Sequence, residues 1–167
     1  MEVVNRFIDT ETEPDWMAEN IEILYSDSAR LQMKMVTPLV KQFNSVQEMR
    51  DEYPQGLRAW FYEDTGELKG EITAKWAKHD RVKDLWEAQN DVVITKANGQ
   101  TLETEQFFWD TKKAIVYSEK HTKITEPNGT IATGNSFIAN QDFTNMRLIK
   151  GRATIIVTDE DNEDDDG

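Results

Sequence analysis

The strongest constraint on the fold is a strict alternation of side-chain character between Glu67 and Trp76. Every odd position there is charged or threonine, and every even position is apolar or glycine. Successive side chains of a β-strand point to opposite faces, so the pattern predicts a strand of about ten residues with one dry and one wet face. Residues 21–25 and 29–35 alternate in the same way. Only residues 45–53, with apolar spacings of three and four, suggest a helix. The chain is therefore predicted to be all-β with one short helix at most.

Three turn signals divide the apolar runs into hairpins. Asp64-Thr65-Gly66, Asn98-Gly99 and Asn128-Gly129 supply the positive φ that tight hairpins need. These turns recur at intervals of about thirty residues, each before a similar block, and a repeated unit with one apolar face cannot bury that face alone. We therefore expect repeated antiparallel hairpins that stack into one continuous sheet or roll.

The charge of the chain limits its partners and marks one end. The 167 residues include 32 acidic and 19 basic side chains, a formal net charge of −13 at pH 7. Such a surface repels phosphate backbones, so no nucleic-acid binding is expected. Acidic side chains crowd residues 159–167, which predicts a disordered tail. We expect an N-terminal tether at 1–17 and a single domain at 18–158.

The sequence contains few of the residues that carry enzyme chemistry. There is no cysteine, and the only histidines are His79 and His121. They lack the spacing of a metal site, and no glycine-rich phosphate loop or nucleophile elbow occurs. Carboxylate pairs such as Glu103 and Glu105 are expected by chance in so acidic a chain. We therefore expect no catalytic residue, no metal and no cofactor.

Membrane spans and signal peptides have a recognisable length and composition. No stretch approaches the roughly 18 to 20 apolar residues of a membrane span, and residues 1–20 lack the basic start and apolar run of a signal peptide. The chain is expected to be soluble. Membrane attachment would need a segment beyond this sequence.

The large apolar side chains on the predicted strands allow two interpretations. They can fill the core of a β-sandwich, or they can line a slot for a long apolar ligand, and the residues alone leave both open. A bulge near Gln106 is the place where the facing can switch. Strand parity assigns the following side chains to one shared apolar interior: Ile23, Leu31, Met33, Trp60, Ile72, Trp76, Trp86, Phe107, Trp109, Ile115, Ile124, Phe137 and Leu148.

Three segments carry a resemblance to a known family. They are Asp84-Leu85-Trp86-Glu87-Ala88 through Asp91-Val92-Val93-Ile94-Thr95, then residues 102–110 ending in Phe107-Phe108-Trp109-Asp110, and residues 133–143. In this order and spacing they resemble the LptC family of lipopolysaccharide export proteins over about residues 18–157. Gly134 falls on the characteristic glycine of that family. Residues 38–56 have no counterpart in the resemblance.

The resemblance implies a fold, a location and a set of partners. The fold is a twisted, open antiparallel β-jellyroll in the periplasm, held at the inner membrane by an N-terminal anchor that this chain lacks. Such a protein takes lipopolysaccharide from an inner-membrane ABC transporter and passes it to a periplasmic bridge protein similar to LptA. The acyl chains of lipid A would then lie against the interior residues named above.

The resemblance also implies a docking edge near the C-terminus. The segment Arg152, Ala153, Thr154, Ile155, Ile156 and Val157 is expected to be an edge strand that receives the next bridge protein, with Gly134 contributing one strand earlier.

The alternative function is an extracytoplasmic β-sandwich module that binds a glycan or a protein through a closed domain.

Overall fold

The computed structural model describes residues 13–156, and they form fourteen strands joined in one antiparallel sheet. The predicted all-β jellyroll is confirmed. Residues 1–12 of the predicted tether, Val157 and the predicted tail at 159–167 lie outside the described residues. The strands are β1 (Trp16–Asp27), β2 (Arg30–Asn44), β3 (Met49–Tyr53), β4 (Leu57–Tyr62), β5 (Leu68–Ala74), β6 (Trp76–Asp80), β7 (Leu85–Lys96), β8 (Thr101–Asp110), β9 (Ile115–Ser118), β10 (Thr122–Thr125), β11 (Ile131–Gly134), β12 (Ser136–Asn140), β13 (Arg147–Ile149) and β14 (Arg152–Thr154).

The sheet folds over on itself, so the long strands contribute to two layers. We call these layers sheet A and sheet B. Sheet A contains residues 41–44 of β2, β3, β6, residues 85–89 of β7, residues 106–110 of β8, β9, β12 and β13. Sheet B contains residues 33–36 of β2, β4, β5, residues 92–96 of β7, residues 101–104 of β8, β10, β11 and β14. Strand β1 pairs with β2 along both layers.

Irregular residues mark the line where the strands pass from one sheet to the other. In β7 the residues Asn90 and Asp91 have positive φ, and the pairing with β8 shifts there. The buried side chains of β8 change from Thr104 to Phe107 across the same line. The facing switch expected near Gln106 is therefore present, and it follows from the extra residues that bulges insert into a ladder.

The predicted ten-residue strand at 67–76 is interrupted on this line. Strand β5 ends at Ala74, and Lys75 donates its backbone N–H to Asn90 O at 3.0 Å instead of continuing the ladder. Strand β6 then begins with its pairing shifted to β3 and β7. Because one residue is left out of the pairing, Ala77 rather than Trp76 continues the buried side of the strand.

The helix suggested at residues 45–53 is wrong. Ser45 and Glu48 close a short turn through hydrogen bonds of Ser45 Oγ, and β3 follows. Strand β3 lies between β2 and β6, and its Tyr53 is only 1% exposed. Pairing on both sides and burial of the tyrosine outweigh the helical spacing of a short segment.

The three predicted hairpin turns are all present. Gly66, Gly99 and Gly129 close the β4–β5, β7–β8 and β10–β11 connections with φ of 90°, 94° and 91°. This left-handed conformation strongly favours glycine. The turns therefore set the register of the strands that form sheet B.

Buried hydroxyl groups satisfy backbone groups where β8, β9 and β10 pass between the sheets. Thr104 Oγ1 lies 3.0 Å from Ser118 Oγ and from His121 O, and Thr122 Oγ1 donates to Lys120 O at 3.0 Å. All three hydroxyl-bearing residues are buried. Buried polar groups are tolerated when they are paired in this way, so the bend does not interrupt the core.

Candidate functional site

The candidate site is the apolar space between the two sheets. On sheet B, the residues Ile72, Ile94, Leu102 and Ile124 pair in register on four adjacent strands. Ile94, Leu102 and Ile124 are buried, and Ile72 packs against the same core. Side chains in register on neighbouring strands lie side by side. They form a continuous aliphatic wall across sheet B.

An aromatic wall on sheet A faces the aliphatic one. The ring of Phe107 stacks with that of Phe137 at a centroid distance of 6.2 Å, and with that of Phe143 at the same distance. Trp109 contacts Phe61 of sheet B edge-on, with 5.9 Å between ring centroids. Aromatic pairs in these geometries are favourable beyond the area that they bury. The space between the walls is therefore lined almost entirely by apolar groups.

The two walls meet closely, and the empty space that remains is small. Where Ile94, Leu102 and Ile124 face Phe143 and Met146, the packing leaves no cavity large enough for a water molecule. A separate open cleft of about 330 Å³ lies at the margin of sheet B, between Arg30, Leu31 and the turn at 62–66. The interior is therefore filled where the aliphatic wall faces the loop that follows β12.

Most of the predicted interior residues lie where strand parity placed them. Met33, Phe107, Ile124 and Phe137 are buried in the core. Ile23, Ile72, Trp86, Trp109 and Leu148 are partly buried and pack against it. Their contact with a ligand remains a prediction.

Trp60 was assigned to the wrong face. It pairs with Lys34, and its ring lies 5.5 Å from Lys34 Nζ and 4.6 Å from Arg58 Cζ. Its neighbours Ala59 and Phe61 are the ones that reach the core. Cations stack on an exposed aromatic face in this way, so Trp60 belongs to the outer surface of sheet B.

Three further assignments also differ from the structure. Trp76 lies beside buried Ala77 and is not part of the core, because of the break at Lys75. Ile115 precedes buried Val116, which takes the inward position in β9. Leu31 lies at the start of β2, where it lines the open cleft rather than the core. A shift of one residue exchanges the two faces of a strand.

The sequence analysis missed several residues of the interior. Phe61 was overlooked because the parity was set on Trp60, and Tyr53 was hidden by the suggested helix. Phe143 enters the sequence analysis only as the last residue of the segment 133–143, and Met146 does not enter it, because both residues lie in a loop. The alternation of β4 could have found Phe61, but no strand pattern applies to the loop residues.

A polar cluster lies at the margin of the interior. The ring of His79 stacks on Trp86 at 4.1 Å, and His79 Nε2 is 2.8 Å from Asp84 Oδ1. Hydrogen bonding by Thr111 and His79 lowers the pKa of Asp84. Burial raises the pKa of Tyr53 well above its ordinary value, and burial followed by the charges of Asp51 and Asp84 raises the pKa of Tyr25. The lowered pKa keeps Asp84 ionised and the raised pKa values keep Tyr53 and Tyr25 neutral at neutral pH, which suits hydrogen bonding.

The described part of the chain has neither a metal cluster nor a membrane-spanning helix. Within residues 13–156, no group of three or more histidine, aspartate or glutamate side chains is arranged to hold a metal ion. The same residues include no helix that is long and apolar enough to cross a membrane.

The predicted docking edge is partly where the sequence placed it. In the described part of the chain, strand β14 pairs with β11 alone, and its three residues are exposed. Ile155 and Ile156 are 71% and 42% exposed and follow the strand. The edge strand is therefore shorter than predicted, and Val157 lies outside the described residues. Strand β1, which among residues 13–156 pairs with β2 alone, forms another and longer edge.

Gly134 does not lie on the exposed edge. It is buried and pairs with Thr122 of β10. A Cβ atom at this position would lie 3.1 Å from the Cβ and Cδ2 atoms of Leu148. The glycine therefore permits the close approach of β13, which is the role that glycine often has within strands.

Comparison with known proteins identifies the family of the chain. A family model described as "Lipopolysaccharide-assembly, LptC-related" matches residues 5–156. A search of curated proteins gives no significant match. The family match covers nearly the whole jellyroll and agrees with the resemblance found from the sequence. The chain belongs to the LptC family of lipopolysaccharide-assembly proteins.

Proposed function

We propose that the domain carries lipopolysaccharide by binding its acyl chains between sheet A and sheet B. The observation that carries the proposal is the aliphatic wall of Ile72, Ile94, Leu102 and Ile124 opposite the aromatic wall around Phe107. Burial of a chain contributes about 0.8 kcal/mol per CH₂. A continuous apolar space of this kind offsets the cost of taking a lipid out of a bilayer.

Family membership supports the coarser part of this proposal directly. The LptC family consists of periplasmic components of lipopolysaccharide transport and is not a known enzyme family, so the chain has a role in that transport. We propose the following finer steps. The domain accepts lipid from an inner-membrane ABC transporter and passes it to an LptA-like protein, while the full-length protein is held at the inner membrane.

Two edges of the folded sheet suggest how such a bridge is assembled. Within residues 13–156, β1 offers an edge of twelve residues without a second partner, and β14 offers a short edge on the other side of sheet B. Unpaired N–H and C=O groups on an edge are completed by a strand from a partner. We propose that neighbouring jellyrolls add to these edges, so that their apolar interiors join.

A crosslinking experiment tests the proposed lipid site. A photoreactive phenylalanine analogue is placed at Ile72, which faces the core, or at the adjacent Thr73, on the opposite face of β5. After irradiation in cells, we expect lipopolysaccharide adducts from position 72 and few from position 73. Circular dichroism of both purified variants confirms that each is folded. Equal labelling at the two positions, or none at position 72 in a folded variant, contradicts the proposal.

One observation favours a second candidate. Because the walls meet closely and the interior volume is small, the domain also fits a closed β-sandwich that binds a glycan or protein on its surface. A fluorescent fatty acid such as cis-parinaric acid separates the two functions. A closed sandwich would leave its emission unchanged, whereas capture between the sheets would raise it in a saturable way.

A further inference from the structure

We propose that the loop between β12 and β13, residues 141–146, is a plug that an acyl chain displaces when it enters the space between the sheets. In the structure Phe143 and Met146 occupy that place. The inference rests on the proposed function, and it assigns to this loop control over access to the lipid site.

The contacts of the two side chains place the loop inside the site. The ring of Phe143 stacks on Phe107 with an interplanar angle of 11°, so it extends the aromatic wall of sheet A. Phe143 and Met146 also pack against the core opposite Ile94, Leu102 and Ile124, with no room for a water molecule between them. The loop therefore covers the part of the aliphatic wall that an acyl chain would need.

The hydrogen bonds of the loop attach it to sheet A alone. Gln141 donates its backbone N–H to Ala114 O at 2.9 Å and accepts a bond from Trp109 Nε1 at 3.2 Å, while Phe143 N–H donates to Asn140 O. Within residues 13–156, no hydrogen bond joins this loop to the strands of sheet B. Movement of the loop away from sheet B therefore leaves no polar group unpaired. An unpaired buried polar group is the main cost when buried surfaces separate.

The backbone conformation of the loop is also energetically unfavourable for its residues. Phe143 and Asn145 have φ of 63° and 52°. A bulky residue such as phenylalanine is strained in this region. The packing of Phe143 on Phe107 holds the strained backbone in place. An acyl chain that replaces the phenylalanine ring keeps Phe107 covered and releases that strain.

One charge interaction crosses the same boundary. Hydrogen bonds from Thr144 lower the pKa of Asp142, and the charge of Lys69 in β5 lowers it further. Among residues 13–156, no ion pair joins this loop to sheet B. Both Lys69 and Asp142 are exposed, so they offer positions for a crosslink across the boundary.

The first test removes the plug and follows ligand entry. Stopped-flow fluorescence measures the association rate of cis-parinaric acid with the parent protein, with Phe143→Ala/Met146→Ala and with Phe108→Ala. Phe108 is a matched control because its ring stacks on Tyr117, on the side of β8 opposite Phe107. We expect the plug variant to bind about tenfold faster and more tightly, since a plug lowers the fraction of competent molecules. The control should match the parent.

The second test holds the plug in place without removing any core side chain. The chain has no cysteine, so a reducible bismaleimide can join Lys69→Cys to Asp142→Cys across the boundary. Crosslinking of Lys123→Cys to Glu103→Cys is the control, because those side chains form an ion pair on neighbouring strands of sheet B. Only the first crosslink should slow uptake of the fatty acid, and reduction should restore the rate.

The outcomes separate the plug from the proposed function. If the fatty acid binds all variants at one rate, and the crosslinked protein takes it up normally, the plug is overturned while lipid capture stands. If no variant binds the fatty acid, including a folded plug variant, both the plug and the proposed site are overturned. Thermal melts of every variant identify loss of folding, and the crosslink remains decisive where the double alanine variant unfolds.

Discussion

The indole of Trp109 meets the ring of Phe61 edge-on, with centroids 5.9 Å apart and planes at 82°. Their strands, β8 and β4, are not neighbours in the ladder, since β5 and β7 separate them. The contact therefore joins sheet A to sheet B across the interior. It closes the interior between β4 and β8 beside the plug loop, because Trp109 Nε1 donates a hydrogen bond to Gln141.

This contact predicts an energetic coupling between the two layers. We expect Phe61→Ala and Trp109→Ala each to lower the free energy of unfolding by about 1–3 kcal/mol, less than for a fully buried ring because both are half-buried. In the double variant the losses should fall short of additivity by about 0.5–1.5 kcal/mol. Urea unfolding measures all three. Trp60→Ala on the outer face is the control, and strict additivity with Trp109→Ala is expected there.

A charged side chain introduced into the aromatic wall should destabilise the folded domain, whatever its effect on lipid binding. Phe107 is 7% exposed and is stacked between Phe137 and Phe143. We expect Phe107→Asp to destabilise the domain by several kcal/mol, roughly the cost of burying an unpaired charge. Phe108→Asp, on the opposite face of the same strand, should cost much less in a thermal melt. Similar melting temperatures for the two variants would mean that the facing of β8 is incorrect.

The close approach at Gly134 predicts a non-additive pair. Gly134→Ala places a methyl group against Leu148 and Ser136 O, and we expect a loss of about 1–3 kcal/mol from overpacking. Truncation of the neighbour in Gly134→Ala/Leu148→Ala should recover part of the loss caused by the glycine change. Chemical denaturation of the two single variants and the double variant measures this. If the stability losses of the two single variants simply add in the double variant, the proposed contact between Gly134 and Leu148 is contradicted.

The acid side of the stability profile should depend on two aspartates at the β6–β7 turn. Backbone N–H groups of Lys83 and Val82 lower the pKa of Asp80, and hydrogen bonding by Thr111 and His79 lowers that of Asp84. A carboxyl group with a depressed pKa in the folded state contributes stability above its ordinary pKa near 4, and that stability is lost as pH falls through the folded value. Melting temperatures should therefore fall from about pH 5 to about pH 3.

Two variants check the origin of this acid sensitivity. Asp80→Asn and Asp84→Asn should each lower the melting temperature near neutral pH. Each should also make the decrease in melting temperature at acidic pH smaller than in the parent protein. Glu63→Gln, at an exposed turn on sheet B, is the control for removal of one charge. An unchanged slope in both aspartate variants would assign the acid sensitivity to other carboxylates.

The all-β class and the hairpins were predictable because local chemistry determines them. The alternation at 67–76 and the turns at Gly66, Gly99 and Gly129 need no tertiary information. The three turns are present in the structure, and the alternation is present as far as Ala74. The interior residues that depend on uninterrupted parity, such as Met33 and Ile124, were also placed correctly.

The errors arise where tertiary pairing alters a local pattern. The alternation continues through Lys75, so nothing in the sequence marks the break that turns Trp76 outward. Tyr53 follows a helical spacing, yet pairing with β2 and β6 makes it part of a strand. Phe143 enters the site from a loop, where no periodicity applies. The folding of the sheet along one line is therefore the main feature that the sequence alone did not reveal.

The last prediction concerns the outgoing edge of the domain. Strand β14 is paired on one side only, and the backbone N–H of Ile156 is held by Thr130 Oγ1 at 3.1 Å, which keeps the segment beside β11. We expect a photocrosslinker at Thr154 or Ile156 to give adducts with a neighbouring bridge protein in cells, because an unpaired edge is completed by a partner strand. The same reagent at Lys123, on β10 between two paired strands, is the control. Absence of adducts at both edge positions, with lipid crosslinking retained at position 72, would remove the docking role from β14 and leave β1 as the edge for partners.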